Sequence, residues 1–134
     1  MKKMIAIVAG GDSSEHDVSL RSAAGIMSFM DSRKYDVYIV EIKGNIWIAH
    51  YGKEDCPIDR NDFTFTAKDG KHAFDFAYIT IHGTPGENGI LQGYFDLVGI
   101  PYSTSDVLVE ALTFNKYALN TFLRSAADKA LNIA

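Results

Sequence analysis

Short apolar runs separated by glycines and polar residues predict a strand and then a helix at the start of the chain. Residues 4–9 form a continuous apolar run, which is typical of a strand buried on both faces of a parallel sheet. Two glycines at 10–11 allow a sharp turn, and Asp12 precedes Glu15 by three residues, the spacing of a capping box at a helix start. The helix that follows carries an apolar stripe with a period near 3.6 residues. Its members are Val18, Ala23, Ile26, Met27 and Met30.

The middle of the chain predicts further strands. Residues 35–42 are mostly apolar, and the pair Gly44-Asn45 is a hairpin signal, so residues 46–49 should pair back in the antiparallel direction. Residues 50–76 are less regular, although Asp69-Gly70 indicates a second hairpin. The aromatic residues that flank this second hairpin are Phe63, Phe65, Phe74 and Phe76.

A buried strand, a helix and an edge strand are predicted next. Residues 77–81 are a short apolar run, and the sequence Thr-Pro-Gly-Glu at 84–87 has the form of another capping box. Gly99 should end the helix, residues 100–102 read as an edge strand, and residues 103–105 should cap a further helix through Leu112. The apolar residues of the first of these helices are Ile90, Leu91, Tyr94, Phe95, Leu97 and Val98.

This alternation of strands and helices predicts an α/β fold, a mainly parallel sheet flanked by helices. Ligands of such sheets lie beyond the carboxyl ends of the strands. Two loops with glycines and ionisable side chains follow predicted strands, at residues 10–15 and 82–87. We therefore expect the chemistry of the chain at these two loops.

Composition limits the classes of partner and the cellular compartment. The chain has 134 residues and a formal net charge of −4, which suits one domain with the start of a second and argues against nucleic acid or anionic membranes as partners. The single cysteine, Cys56, excludes an internal disulfide framework. The apolar run after the first two lysines is too short for a signal peptide, and no run approaches the ~20 residues of a membrane span. These features predict a cytoplasmic protein.

The first loop reads GGDSSEHDVSL and fits no nucleotide-binding motif. It lacks the Lys-Ser/Thr pair of a P-loop and the spacing of the GxGxxG fingerprint. A carboxylate at Glu15 would repel a pyrophosphate and favour a protonated amine, but Glu15 could equally be the acid of the capping box. His16 is read either as a solvated helix residue or as a ligand or base.

The second loop reads HGTPGENG, in which the glycines allow close backbone approach to a ligand. His82 directly follows a predicted strand, where an imidazole can donate a hydrogen bond to a carboxylate. The alternatives are a structural role for His82 and a capping role for Glu87. These two residues and Cys56 form no recognised zinc spacing, and no GxSxG elbow of a hydrolase is present.

Together, GGDSSEHDVSLRSA and HGTPGENGILQGYFDLVGIPYSTSDVLVEALTFNK resemble the D-alanine–D-alanine ligase family of ATP-grasp enzymes. One departure is Thr104, where the family often has glycine. The resemblance implies a Rossmann-like pre-ATP-grasp domain that binds substrate at residues 1–112. It also implies that residues 113–134 are the start of the central ATP-grasp domain, so that the chain is an incomplete, N-terminal portion of the ligase.

The resemblance also implies roles for individual residues. Glu15 matches the catalytic acid that holds the ammonium group of the first D-alanine. His82 matches the histidine near the carboxylate of that substrate, and Lys116 matches a lysine that contacts ATP phosphates. No metal-binding residue of the family falls within this sequence. The substrate-binding residues implied are Glu15, Val18, Ser19, His82 and Glu87.

The activity implied by the resemblance is ATP-dependent ligation of two D-alanines to D-alanyl-D-alanine, with Mg²⁺, for peptidoglycan synthesis and hence cell-wall biogenesis and cell shape. A homodimer is a further implication, to which exposed apolar residues near Tyr94 and Phe95 could contribute. The chain by itself should be inactive, because most of the family's ATP and Mg²⁺ ligands lie beyond it. The alternative is a non-catalytic module that binds a D-amino acid. A nucleotide-binding Rossmann or flavodoxin-like module is disfavoured by Glu15 and the absent fingerprint.

Overall fold

The computed structural model of the chain describes residues 2–12, 14, 16–81 and 90–104, which are arranged as helices packed on a mixed sheet. The elements in these ranges are β1 (Lys3–Gly10), α1 (His16–Phe29), β2 (Tyr35–Lys43), β3 (Ile46–Tyr51), β4 (Glu54–Pro57), β5 (Thr64–Ala67), β6 (Gly70–Ala73), β7 (Phe76–Ile79), α2 (Ile90–Val98) and β8 (Tyr102–Thr104).

The main sheet has the strand order β4-β3-β2-β1-β7-β8. Strands β2, β1, β7 and β8 are parallel, whereas β3 and β4 continue the sheet in antiparallel pairs. The predicted α/β class with a mainly parallel sheet is therefore confirmed. Strand β1 lies between two parallel neighbours, which explains why its apolar run is continuous rather than alternating.

Helix α1 packs on the face of the sheet that carries Ile5 and Ile7. The predicted apolar stripe is wrong at two positions, because Val18 is 41% exposed and Met27 is 42% exposed. Instead, Ser19 is fully buried on the packed side of the helix. A serine can occupy this position because its hydroxyl is hydrogen-bonded within the fold. The buried residues of the helix and the turn after it are Ser19, Ala23, Ile26 and Met30.

The opposite face of the sheet is covered by α2 and by the hairpin of β5 and β6. Phe95 is fully buried there, and the Tyr94 hydroxyl donates a hydrogen bond to the backbone oxygen of Arg60 at 2.7 Å. The prediction of exposed apolar residues near Tyr94 and Phe95 is therefore wrong for Phe95, whereas Tyr94 is partly buried and other apolar residues of the same helix are exposed. The large apolar residues of α2 that face solvent are Ile90 and Leu97.

Most predicted turns are confirmed, with small shifts. The hairpin at Gly44-Asn45 joins β2 to β3, and Gly99 follows α2 with a φ of +76°. The second hairpin is also present, but its turn residues are 68 and 69, one position earlier than predicted. Strand β4 was not predicted, and Ser103, expected in a helix cap, lies in β8.

Several predictions concern residues outside the described ranges. They include the capping box at 84–87, the helix predicted after residue 105 and the domain boundary at residue 112. The domain boundary stays a prediction. Within the described ranges, neither helix has the length and apolar character needed to cross a membrane.

Candidate functional site

The carboxyl end of β1 turns sharply over the neighbouring strand β2. Gly10 and Gly11 have φ values of +103° and +96°, which side chains rarely tolerate. The Gly11 N–H donates a hydrogen bond to the backbone oxygen of Ile42 at 2.7 Å. A glycine pair is therefore required here, because the turn combines a left-handed backbone with direct contact to β2.

A buried pair of hydroxyls joins the exits of β1 and β7. The Ser19 hydroxyl accepts a hydrogen bond from the Gly10 N–H at 2.9 Å and donates one to the Thr80 carbonyl at 3.0 Å. The Thr80 hydroxyl donates to the carbonyl of Val8 at 3.0 Å. Gly10, where the first predicted functional loop begins, is therefore linked through Ser19 to Thr80, which precedes the start of the second predicted loop by two residues.

An open cavity of about 480 Å³ lies beside the first loop. Its lining combines acidic and basic side chains from the loop, the first turn of α1 and the end of β2. Asp12 is held in place there, since its carboxylate accepts a hydrogen bond from the Gly44 N–H at 2.7 Å. The lining residues are Gly11, Asp12, Ser14, His16, Asp17 and Lys43.

A chain of side-chain hydrogen bonds runs from this cavity across three strands of the sheet. His16 Nδ1 lies 2.8 Å from the carbonyl oxygen of Gly11, and its Nε2 lies 2.9 Å from Glu41 Oε2. Glu41 Oε1 lies 2.9 Å from His50 Nε2, and His50 Nδ1 lies 2.9 Å from Asp55 Oδ1. We call His16, Glu41, His50 and Asp55 the histidine network. It links α1 to β2, β3 and β4.

The partners of the two histidines define their protonation state. A carbonyl oxygen and an ionised carboxylate can only accept hydrogen bonds, so both ring nitrogens of His16 must donate. The same reasoning applies to His50, which lies between the carboxylates of Glu41 and Asp55. The network is therefore fully hydrogen-bonded only when both histidines are imidazolium cations.

The electrostatic environment agrees with this assignment. The hydrogen bond to Gly11, followed by the one to Glu41, raises the pKa of His16 above its ordinary value. Burial opposes ionisation of Glu41 and His50, but their hydrogen bonds outweigh it, so the pKa of Glu41 is lowered and the pKa of His50 is raised. The network is thus a set of mutually stabilised charges at the edge of the cavity.

Replacing Glu41 with glutamine should destabilise the chain by about 1–2 kcal/mol at pH 5.5 and by clearly less at pH 8.5. The raised pKa values of His16 and His50 provide stability below their ordinary value of 6.5, and this stability is lost as pH rises through the folded-state values. The lowered pKa of Glu41 provides stability above its ordinary value of 4.5, lost as pH falls. Urea unfolding at the two pH values measures the difference.

The matched control for this experiment is Asp36→Asn. Asp36 is an exposed carboxylate that pairs with Lys2 and with no histidine. Its replacement should have the same small effect at pH 5.5 and at pH 8.5. An equal loss of stability at both pH values in Glu41→Gln would contradict the charge assignment of the network.

The described ranges contain two of the site residues predicted from the sequence. Val18 lies in the first part of α1 with its side chain partly exposed, and Ser19 is buried with its hydroxyl bonded to the bases of both loops. The remaining predicted site residues lie outside the described ranges, and their roles stay predictions. These residues are Glu15, His82, Glu87 and Lys116.

Sequence reasoning missed the histidine network. The sequence alone indicates either a solvated helix residue or a ligand or base at His16, but the His16 side chain is only 16% exposed and holds the loop to β2. Glu41 offered one signal, because it is an acid within the apolar run of β2 near the carboxyl end of the strand. Its two histidine partners become evident only when the strand register is known.

Comparison with known proteins gives consistent matches. Residues 4–105 match the family model described as D-ala D-ala ligase N-terminus. The chain is 62% identical over 125 residues to a D-alanine–D-alanine ligase of Phocaeicola vulgatus. This overlap covers 92% of the chain and 39% of the relative, so the chain spans well under half of that protein's length.

Solved structures show the same fold. The crystal structure of a D-alanine–D-alanine ligase from Aeromonas hydrophila is similar with a TM-score of 0.65 and 30% identity, covering 92% of this chain and 46% of that chain. The VanG D-Ala:D-Ser ligase from Enterococcus faecalis is similar with a TM-score of 0.65 and 30% identity, covering 76% of this chain and 35% of that chain. The similarity therefore extends to ligases whose names differ in the second amino acid.

Proposed function

The chain belongs to the D-ala D-ala ligase N-terminus family, and on this premise we propose that it is the substrate-binding front of an ATP-dependent D-alanine–D-alanine ligase. The observation that carries the proposal is the family match over residues 4–105, which includes both loops at the adjacent ends of β1 and β7. Parallel strand ends of this kind are the usual place for a ligand in an α/β sheet.

The proposed roles of the chain's residues follow from complementary charge. Glu15 would hold the ammonium group of the first D-alanine, and His82, supported by Glu87, would face its carboxylate. Val18 and Ser19 would shape the same pocket. Val18 would do so with its partly exposed side chain, and Ser19 by hydrogen bonds from its buried hydroxyl to the backbone of Gly10 and Thr80. ATP would supply the phosphoryl group that activates this carboxylate for attack by the amine of a second D-alanine.

The described residues do not fit ATP or Mg²⁺ themselves. The cavity beside the first loop carries the carboxylates of Asp12 and Asp17 beside the basic side chains of His16 and Lys43, so its lining is of mixed charge and lacks the excess of positive charge that a triphosphate favours. Within the described ranges, no group of three or more histidine, cysteine, aspartate or glutamate side chains could hold a metal ion. We therefore assign this part of the chain to the amino-acid substrate, and only Lys116 to contact with ATP.

Three further features complete the proposal. The domain would extend over residues 1–112, with residues 113–134 beginning the central ATP-grasp domain. The whole ligase would act in the cytoplasm, in synthesis of peptidoglycan precursors, and could form a homodimer. We propose D-alanine as the first substrate because the pocket residues lie in this chain, and we leave the choice of the second amino acid to the rest of the ligase.

A hybrid enzyme tests the proposal. The segment of the Phocaeicola vulgatus relative that aligns with this chain is replaced by the chain's own residues, and phosphate release is measured with ATP and D-alanine. The hybrid should be active, and Glu15→Gln should lower its kcat/KM for D-alanine by about 2–4 kcal/mol, which is about 30- to 1,000-fold. The control Asp36→Asn removes an equal charge from the exposed surface of β2 and should change kcat/KM less than threefold.

The outcomes distinguish the two functions considered. The 134-residue chain alone should release no phosphate. A folded but inactive hybrid that still binds D-alanine would favour the non-catalytic binding module. An active hybrid with unchanged kcat/KM in Glu15→Gln would reduce Glu15 to a helix cap.

A further inference from the structure

We propose that His16 is a positioning residue for the first D-alanine site, because its imidazolium ties the turn after β1 to Glu41 of β2. The inference rests on the proposed function. His16 directly follows Glu15 in the chain and shares α1 with Val18 and Ser19. Fixing the His16 side chain at both ring nitrogens therefore restrains the first turn of α1, which leads into Val18 and Ser19.

The His16 ring also fills the space beneath the turn. A Cβ atom added to Gly10 would lie 2.8 Å from His16 Cε1 and 3.1 Å from its Nδ1, so the ring is in close contact with the turn backbone. In the same turn, His16 Nδ1 donates a hydrogen bond to the backbone oxygen of Gly11. The ring thus supports the turn sterically as well as by hydrogen bonding, while Glu41 fixes the far side of the ring.

Several charged groups face His16 from the elements around it. Glu41 and Lys43 act on the ring from β2, and Asp12 from the loop and Asp17 from the first turn of α1 line the same cavity. Lys43 opposes the positive charge of the ring, whereas Glu41 favours it. Beyond Glu41, His50 contributes a second cation to the same carboxylate.

Loss of the proton from His16 would break one of its two restraints. A neutral imidazole has a single N–H, so it can donate either to the Gly11 carbonyl or to the Glu41 carboxylate, but not to both. Either the hydrogen bond to the Gly11 carbonyl, which holds the turn, or the hydrogen bond to Glu41, which holds β2, would then be lost. The positioning effect should therefore weaken as pH rises.

The hybrid enzyme provides the kinetic test. His16→Ala should lower kcat/KM for D-alanine about 10- to 100-fold at pH 6.0, mainly through a higher KM at the first D-alanine site. His16→Gln can reproduce only the contact of Nε2 with Glu41, and His16→Asn only the contact of Nδ1 with Gly11, so each should restore part of the loss. The ratio of variant to parent KM should shrink between pH 6.0 and pH 8.5 as the parent's His16 deprotonates.

The control variant is His72→Ala. His72 also pairs with a carboxylate, Asp69, at 2.7 Å, but it lies in the hairpin of β5 and β6 on the opposite side of the sheet. It should leave KM within about twofold of the parent value. An unchanged KM in His16→Ala, whatever its thermal stability, would overturn the positioning role.

The 134-residue chain gives a second measurement that does not depend on catalysis. In the parent, the ¹⁵N signals of His16 should show both ring nitrogens protonated at pH 6.0, and Glu41→Gln should move the titration midpoint of His16 toward the ordinary value of 6.5. An unshifted midpoint would overturn the link to Glu41. An inactive but folded hybrid together with a shifted midpoint would instead refute the proposed function, and with it the positioning role.

Discussion

Replacement of Gly10 by alanine is expected to destabilise the chain by about 3–5 kcal/mol. The backbone of Gly10 has a φ of +103°, which a residue with a Cβ rarely adopts. The added Cβ would lie 2.5 Å from the carbonyl oxygen of Ile42 and 2.8 Å from His16 Cε1. The Ile42 oxygen is backbone and accepts a hydrogen bond from Gly11, so it cannot move without breaking the contact between turn and strand.

Gly25→Ala is the matched control for Gly10→Ala. Gly25 lies within α1, and a Cβ there would meet no atom within 4 Å. The substitution should stabilise the chain by about 0.5–1 kcal/mol, because alanine loses less backbone entropy in a helix than glycine does. Urea unfolding of both variants gives the comparison, and a loss below about 1 kcal/mol in Gly10→Ala would contradict the close approach of the turn to β2.

A double variant separates the two collisions at Gly10. Gly10→Ala with His16→Ala removes the contact to the ring but leaves the contact to the Ile42 oxygen. The combined loss of stability should therefore be smaller than the sum of the two single losses. Additive losses would mean that the ring and the turn are not in direct contact.

The first strands and the pairing of β3 with β2 could be predicted because local sequence determines them. The apolar run of β1 has no polar interruption, and Gly44-Asn45 can form the tight turn that pairs β3 with β2. Strand β4 could not be predicted in this way. Its residues, Glu54–Pro57, show no apolar alternation, and they form a strand because β3 offers them an edge for antiparallel pairing.

Helix α1 shows why side-chain burial is harder to predict than helix position. Val18 and Met27 fit an apolar stripe but face solvent, whereas Ser19 is buried. Hydrophobicity favours Val18 in the core, but the position on the packed side of α1 is taken by Ser19, whose hydroxyl satisfies the Gly10 N–H and the Thr80 carbonyl. Those partners are 9 and 61 residues away in sequence, so local pattern does not reveal them.

The histidine network depends on register in the same way. Ile39 lies opposite His50 in the pairing of β2 with β3, so Glu41 and His50 lie diagonally on the face covered by α1. Asp55 lies opposite His50 in the next pair. The residue types alone indicated ionisable side chains, but only the pairing of three strands brings them into one chain of hydrogen bonds.

Replacement of Phe63 by alanine is expected to cost about 3–5 kcal/mol of stability. Phe63 is fully buried between α2 and the strands, with ring centroids 4.9 Å from Phe95, 5.3 Å from Phe74 and 6.3 Å from Trp47. Removing the ring would leave a cavity at the place where these aromatic residues meet. Urea unfolding measures the loss, and Leu97→Ala, which truncates an 84% exposed side chain of α2, is a control expected to stay within about 0.5 kcal/mol.

Replacing Phe63 by glycine tests whether the backbone conformation at this position is strained. Phe63 has a φ of +56°, the left-handed region, in which a bulky residue is strained and glycine is not. Phe63→Gly loses the same ring contacts as Phe63→Ala but relieves this strain, so it should be as stable as the alanine variant or about 0.5–1 kcal/mol more stable. Glycine usually destabilises relative to alanine because it is more flexible when unfolded. The usual order, with alanine clearly more stable, would therefore contradict backbone strain at this position.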